Sequence, residues 1–402
     1  MHMHFVKRVL RIGYVKVLYT NMQARRSDDM EDILIMGDLL PTPSNYAFFE
    51  NGDVLALLGT ELLDMLKEKV YIIANLEGPL TEATKGINKS GPILKGTENS
   101  INGIKQMQIN CCSLANNHIL DYGMEGLQST IRIMRENGID VVGAGDTLEK
   151  AAKPFVFLVN GLKVGVYSCA EYEFTIATNQ TGGANPFDSL EIVDHINDLR
   201  THVDYVIVLY HGGKEHYRYP APYVQKRCRK LIEKGADLVV CQHSHCIGCK
   251  EEYLNGTIVY GQGNFLFDRG ENEFRNSGLI IKVNPYSNNI EYIPIMKHGN
   301  AVRLANIDKK QEILKGFMKR SEEIMEEGIV EKKYKEFANQ MIQAYDTGSL
   351  GFLGRILRLL KLQKLAKMFF GKGDSLRIIN NLRCEAHRDL YIEGLKERMH
   401  LQ

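Results

Sequence analysis

Three short apolar runs between residues 204 and 268 each stop at side chains that metal chemistry uses. DYVIVLYHGGKEHYRYP reaches His211 with Glu215 close behind, KGADLVVCQHSHC reaches His243 and His245, and GTIVYGQGNFLFD reaches Asn264 and Asp268. Runs this short and this rich in Val, Ile and Leu are expected to be strands buried on both faces. Between the first two, Ala221–Lys234 has helical length and closes on Gly235, a residue suited to a helix cap. Strand, helix, strand is the right-handed crossover unit of a parallel sheet. Ligands of open α/β sheets gather outside the carboxyl ends of the strands. The spacing therefore predicts that His211, His243 and His245 share one edge. A lone His-x-His says little, because polar loops often contain one. Three histidines at two strand ends are a candidate metal centre.

The same grammar holds upstream. ILIMGD ends at Gly37-Asp38, VYIIANLEG at Asn75 and Glu77, and NCCSLANNHILDYG at Asn116, Asn117, His118 and Asp121. Helices are expected over Val54–Lys69, Ser100–Gln108 and Gly123–Asn137. Residues 79–99, rich in Gly, Lys, Thr and Asn, read as a long loop over the strand ends, where substrate would be met. KPFVFLVNGLKVGVYS predicts a hairpin turning at Asn160-Gly161. LIIKVN and IEYIPIMK predict an antiparallel edge. The expected fold class is α/β, with a mixed, mostly parallel sheet flanked by helices and a helical C-terminal extension. Three regions are expected: a basic extension over 1–30, a main domain over 31–305, and the helical extension over 306–402. Five ligand-bearing strand ends are expected to meet in one sheet.

Fifty basic against forty-nine acidic residues leave a net charge of +1, so no global field points to nucleic acid. No apolar run approaches the ~18–20 residues of a membrane span. The N-terminus is basic but lacks the ~7–15-residue apolar core of a signal peptide. A cytoplasmic protein is expected, at most peripheral at the inner face of a membrane. Eight cysteines, irregularly spaced in 402 residues, suit a reduced compartment better than a disulfide scaffold. Cys246-x-x-Cys249 is half of a four-sulfur zinc site, and no second CxxC completes it. Buried or loop thiols are the expectation there.

Carboxylates and neutral imidazoles at several strand ends follow the logic of a metal-assisted phosphoesterase. Such groups hold one or two divalent ions, which polarise a phosphoryl oxygen and acidify bound water. A nearby imidazole that is not a ligand can protonate the leaving group, and His118 has that role in this reading. The blocks GD at Gly37-Asp38, NLEGPLT at Asn75–Thr81, LANNHILDYG at Leu114–Gly123, GAGDTLEKAAKP at Gly143–Pro154, HGGKEHY at His211–Tyr217, GADLVVCQHSH and GQGNFLFD resemble the poly-γ-glutamate capsule-synthesis proteins of the CapA type. The resemblance covers roughly Ile33–Asp268. It implies a fold like that of the calcineurin-like metallophosphoesterases.

Carried over position by position, the resemblance assigns Asp38 to one metal, Glu77 to a bridging position and Asn117 to the second metal. His211 and His243 would serve that second ion, and His245 the first. Mn, Zn or Fe suits such a mixed donor set. Glu215 is a candidate catalytic base, and Asn75, Asn116, Asp121 and Asn264 are candidate substrate-binding or supporting groups. Two departures stand out. Leu40 occupies the position where the phosphoesterases carry a histidine ligand, and Glu77 replaces their bridging aspartate. The implied function is a metal-dependent hydrolase in capsule or envelope polymer production, with a phosphate-containing substrate and membrane-bound synthase partners. A non-hydrolytic accessory protein gripping an anionic polymer is the alternative. Metal-assisted proton abstraction from an amino-acid centre is a smaller one.

One further stretch is unusual. GFLGRILRLLKLQKLAKMFFGKG, Gly351–Gly373, holds no acid, and cations at Arg355, Arg358, Lys361, Lys364 and Lys367 recur every three residues. On an α-helix that spacing drifts about 60° per step. Either the helix breaks near Gln363, or the segment lies where lysines snorkel. Contact with an anionic membrane and packing on the main domain are both open readings.

Overall fold

The computed structural model describes residues 31–68, 70–268 and 272–399, so the basic extension expected over 1–30 lies outside the described residues. The larger sheet runs, in spatial order, β16 (Ala301–Leu304), β15 (Asn289–His298), β14 (Ser277–Asn284), β1 (Asp32–Leu39), β2 (Val70–Leu76), β3 (Cys111–Ser113) and β4 (Asp140–Val142). The short β13 (Asn264–Leu266) also pairs with β1. The smaller sheet runs β11 (Lys250–Tyr253), β12 (Gly256–Tyr260), β10 (Leu238–Gln242), β9 (Tyr205–His211), β7 (Leu162–Ala170) and β6 (Phe155–Val159). Two-residue strands β5 (Ala144–Gly145) and β8 (Gly183–Ala184) form a separate pair. Strands β1 to β4 are parallel, as are β7, β9, β10 and β12. The outer strands β14 to β16, β11 and β6 are antiparallel.

The expected α/β class holds, but the ligand-bearing strand ends belong to two sheets rather than one. Asp38 lies near the end of β1, and Glu77 and Asn117 follow β2 and β3 of the larger sheet; His211 ends β9, and His243 and His245 follow β10 of the smaller. The reason lies in the side-chain alternation. Along β1, Ile33 and Ile35 join a core shared with Phe157, Val166, Ile207 and Val240 of the smaller sheet. Leu34 and Met36 point the other way, into a core with Leu58, Leu62, Leu127 and Met134 from the helices Val54–Leu66 and Gly123–Glu136. The helices Glu191–Arg200 and Pro222–Glu233 pack on β9 and β10. The layers are thus helix, sheet, sheet, helix. With both faces apolar, a strand packed on a sheet and a strand packed on a helix read alike.

Two glutamines stitch the sheets at the ligand edge. Gln242, at the end of β10, donates from Nε2 to the Met36 carbonyl at 3.3 Å. Gln262 donates to the carbonyls of Ile35 and Leu279, both at 3.0 Å. Gly37 allows the close approach: a Cβ there would stand 2.0 Å from the Gly263 carbonyl oxygen. The hairpin at Asn160-Gly161 forms as expected, with Val159 opposite Leu162 and both turn residues at positive φ, 48° and 78°.

The chain divides into two compact units, the first ending at Glu327 and the second running over Gly328–Gln402. The helix Ile307–Glu323, assigned to the extension in the sequence reading, is part of the first unit. Its Phe317 is buried in the inter-sheet core, and Arg320 Nε donates to the Gly248 carbonyl at 2.7 Å. The second unit is built from the helices Ile329–Ser349, Gly351–Leu359, Lys372–Arg383 and Glu385–Met399, with a 3-10 turn over Gln363–Phe369. The break in the basic stretch falls at Lys361, whose φ is 57°, slightly earlier than expected. No helix among the described residues is long and apolar enough to cross a membrane.

Candidate metal centre

The backbone brings the donors together before any side chain acts. A register shift between Met36 and Asp38 sets Asp38 opposite Asn75. The Glu77 amide then bonds to the Leu39 carbonyl at 2.9 Å, fixing the turn that carries the carboxylate. On the smaller sheet, Gln242 lies opposite His211, so His243 emerges beside it. His243 and His245 both hold left-handed backbone, with φ of 86° and 52°. Side-chain-bearing residues pay about 1–3 kcal/mol for such conformations, and they cluster at functional sites.

Two sets of ligand atoms converge, each within 4.8 Å: Glu77, His211 and His243 in one, Asp38, Glu77 and His245 in the other. Glu77 belongs to both. Its Oε1 lies 3.9 Å from His211 Nε2 and 3.7 Å from His245 Nε2. His211 Nε2 is also 3.1 Å from Asn117 Oδ1 and 3.1 Å from His243 Nδ1. On the other side, His245 Nδ1 is 3.2 Å from Asp38 Oδ2 and 2.8 Å from Asn264 Oδ1. All six candidate ligands are buried. Neither oxygen of Glu77 has a hydrogen-bond partner, nor does Asp38 Oδ2.

Burial and the neighbouring Asp38 carboxylate push the Glu77 carboxyl well above the usual range. Burial raises Asp38 too, but contacts with His245, His211 and Asn75 outweigh it and hold its pKa at about 2. Burial keeps His211 and His243 on the neutral side, with neighbouring imidazoles adding to the effect. Neutral imidazole is the metal-binding form. A buried carboxylate with no donor, facing neutral imidazoles and an amide oxygen, fits a divalent ion. Zn, Mn and Fe accept such mixed nitrogen and oxygen sets at about 2.0–2.2 Å.

The remaining candidates fall into place around this centre. Asn75 Nδ2 donates to Asp38 Oδ1 at 2.8 Å, and Asn116 Nδ2 to the Leu76 carbonyl at 2.8 Å. His118 Nδ1 lies 2.6 Å from Asp121 Oδ2, leaving Nε2 as the ring nitrogen not engaged by Asp121. Glu215 is not among the converging ligand atoms; it stands at the rim, 41% exposed, 3.6 Å from Arg275. Asp268 pairs with Lys297 at 2.9 Å and accepts from the Ser44 hydroxyl at 2.6 Å. Cys246 and Cys249 are buried thiols whose pKa burial raises, to about 11 for Cys246. Neither belongs to a converging ligand group.

Three participants escaped the sequence reading. Lys89, its side chain 2% exposed, donates to Asp121 Oδ1 at 2.6 Å and to the Asn117 carbonyl at 2.9 Å. Glu173 accepts from Asn117 Nδ2 at 3.1 Å and lies 4.0 Å from His243 Nε2. Arg275 faces Glu215 and His216. The first sits in the loop singled out for substrate contact, but nothing in its local pattern separates it from Lys85 or Lys95. Leu40, at the departed ligand position, is 1% exposed, and its Cδ1 would lie 3.0 Å from a Cβ at Gly78. An apolar side chain fills that place.

Comparison with known proteins agrees with the motif blocks. The chain is 31% identical to the capsule biosynthesis protein CapA of Bacillus anthracis over 224 residues, 54% of this chain and 54% of that protein. It is also 31% identical to the PGA biosynthesis protein CapA of Bacillus subtilis (strain 168) over 220 residues, 52% of this chain and 56% of that one. The chain thus spans about half the length of these relatives. Among solved structures, a phosphatase from Mycoplasma pneumoniae aligns over 66% of this chain and 93% of its own, with 14% identity and a TM-score of 0.41. The model of the family described as bacterial capsule synthesis protein PGA_cap matches residues 32–269, which take in every candidate ligand. The chain belongs to that family.

Proposed function

We propose that this chain is a metal-dependent hydrolase of the phosphoesterase type, cleaving a phosphate ester or related bond in the production of a capsule, poly-γ-glutamate or other envelope polymer. The observation that carries the reading is Glu77: buried, without a hydrogen-bond donor, and shared between two sets of ligand atoms. In this reading Asn117, His211 and His243 hold a divalent ion with Glu77, and Asp38 and His245 hold a second. Such ions polarise a phosphoryl oxygen and supply hydroxide near neutral pH.

The protein's own groups do the rest. Asp121 accepts from His118 Nδ1 and so orients the ring, leaving Nε2 to donate a proton to the departing oxygen. Asp121 is itself held by Lys89 and by the Leu94 amide at 2.7 Å. Asn75 and Asn116 lock the carboxylate and the strand end around which the ligands sit. Arg275 offers a guanidinium at the rim for an anionic substrate group.

The test is metal content and turnover on one preparation. The purified chain should retain Mn, Zn or Fe and hydrolyse generic phosphate mono- or diesters. His211→Ala with His243→Ala should abolish both. Metal retention with no hydrolysis of any ester would turn the reading to its alternative, a non-hydrolytic accessory protein that grips an anionic polymer. One observation favours that alternative: the buried Leu40 leaves the Asp38 side of the centre one donor short of the phosphoesterase pattern.

A further inference from the structure

The second unit carries a surface that its own packing does not use. Within the helix Gly351–Leu359, Gly354 and Leu357 are buried and Phe352 and Leu359 are 77% and 83% exposed. A Cβ at Gly354 would meet the Thr347 carbonyl, which shows how closely this helix approaches its neighbour. Phe352 and Leu359, seven residues apart, share the face opposite Leu357.

Beyond the left-handed turn at Lys361 the chain adopts a 3-10 helix over Gln363–Phe369. Residues three apart eclipse one another in that helix. The three-residue cation spacing, which would drift around an α-helix, therefore lines up here. Lys364 and Lys367 form one exposed ridge, and Leu365 and Met368 form the next. Ala366, on the third ridge, is fully buried. The break settles the sequence puzzle: basic and apolar rows run side by side and face water together.

We propose that this surface, Phe352–Phe369, docks on an anionic lipid bilayer. Arg355, Arg358, Lys361, Lys364 and Lys367 are all exposed, and none forms an ion pair among the described residues. The stretch Gly351–Gly373 has no acid, whereas the whole chain is nearly neutral at +1. A soluble polyanion would use the cations but leave Phe352, Leu359, Leu360 and Met368 in water. A second copy of this basic stretch would repel it. A headgroup layer with acyl chains below satisfies both rows at once, with cations at the phosphates and apolar side chains just beneath.

The test uses the full chain and vesicles of phosphatidylcholine alone or with phosphatidylglycerol. The protein should sediment with the anionic vesicles, weakly or not at all with the neutral ones, and be released by high salt. Lys364→Gln with Lys367→Gln should weaken binding about 5-fold per lysine. Phe352→Ser with Leu359→Ser and Met368→Ser should weaken it by at least as much, all three side chains being exposed and outside the unit's packing. Equal binding to neutral and anionic vesicles, or no binding to either, overturns the proposal. So does anionic binding that survives removal of the apolar residues, which would identify a polyanion surface. Concentration-dependent self-association abolished by the serine variants would instead assign the face to a second copy. None of these outcomes depends on hydrolysis or on metal content.

Discussion

Replacing Glu77 by Gln would remove a carboxyl whose charged form the metal-free pocket opposes: burial and Asp38 hold its pKa well above the usual range, and neither oxygen has a donor. A buried carboxyl that is held away from its charged form costs a fold stability at neutral pH, and the Arg275 charge offsets that only in part. Metal-free Glu77→Gln should therefore be at least as stable as the parent, gaining up to about 2 kcal/mol in chemical denaturation. Added Mn²⁺ or Zn²⁺ should raise the melting temperature of the parent and leave the variant unmoved. A variant that loses more than about 1 kcal/mol without metal would show that Glu77 has a structural partner. His118 makes the opposite demand. With Nδ1 held by Asp121, His118→Gln should keep full metal content and lose roughly 10²–10⁴-fold in rate on esters with poor leaving groups. Asp121→Asn should lose less, because it disturbs orientation rather than removing the ring. Metal loss in His118→Gln would make it a ligand instead.

At the scale of strands and turns, Gly37 is a point of close backbone approach at the ligand edge. A Cβ there would stand 2.0 Å from a backbone oxygen, which no side-chain rotation relieves. Gly37→Ala should cost about 3 kcal/mol or more by urea denaturation and lower metal content with it. Gly161→Ala is the control: its φ is positive but its Cβ would meet nothing, so backbone strain of about 1–2 kcal/mol is all that is expected. Equal losses would mean that the edge yields easily. The elements that carry donors were legible in the sequence because each ends a continuous apolar run with a polar residue, as at Asp38, His211 and His243. The hairpin at Asn160-Gly161 was legible because that dipeptide suits two consecutive positive φ values. The division into two sheets was not. Ile33 and Leu34 look alike as residues, yet one packs on a strand and the other on a helix. Lys89 and Arg275 were hidden for a related reason: long cationic side chains reach their partners across a fold, and their neighbours in sequence do not record it.

Across the whole molecule, the two units should respond to different ligands. Among the described residues, every candidate metal donor lies between Asp38 and His245, inside the first unit. The helices Lys372–Arg383 and Glu385–Met399 have no buried residue, and Leu376, Leu382 and Leu390 are largely exposed. Short helices without a packed face are marginal in water. Their amides should exchange with deuterium within seconds, while the central strands β1, β2, β9 and β10 stay protected to the limit set by global unfolding. A metal ion bound only by the folded state stabilises it by about 2.7 kcal/mol at a hundredfold excess over its dissociation constant. That gain should appear as slower exchange throughout the first unit, most clearly at the turns after Asp38, Leu76, His211 and Gln242. The second unit should not change. Anionic vesicles should do the reverse, slowing exchange over 351–369 and leaving the turns around Glu77 and His243 as they were. Protection of both units by either ligand alone would mean that the metal centre and the basic surface are coupled, and that the two units act as one.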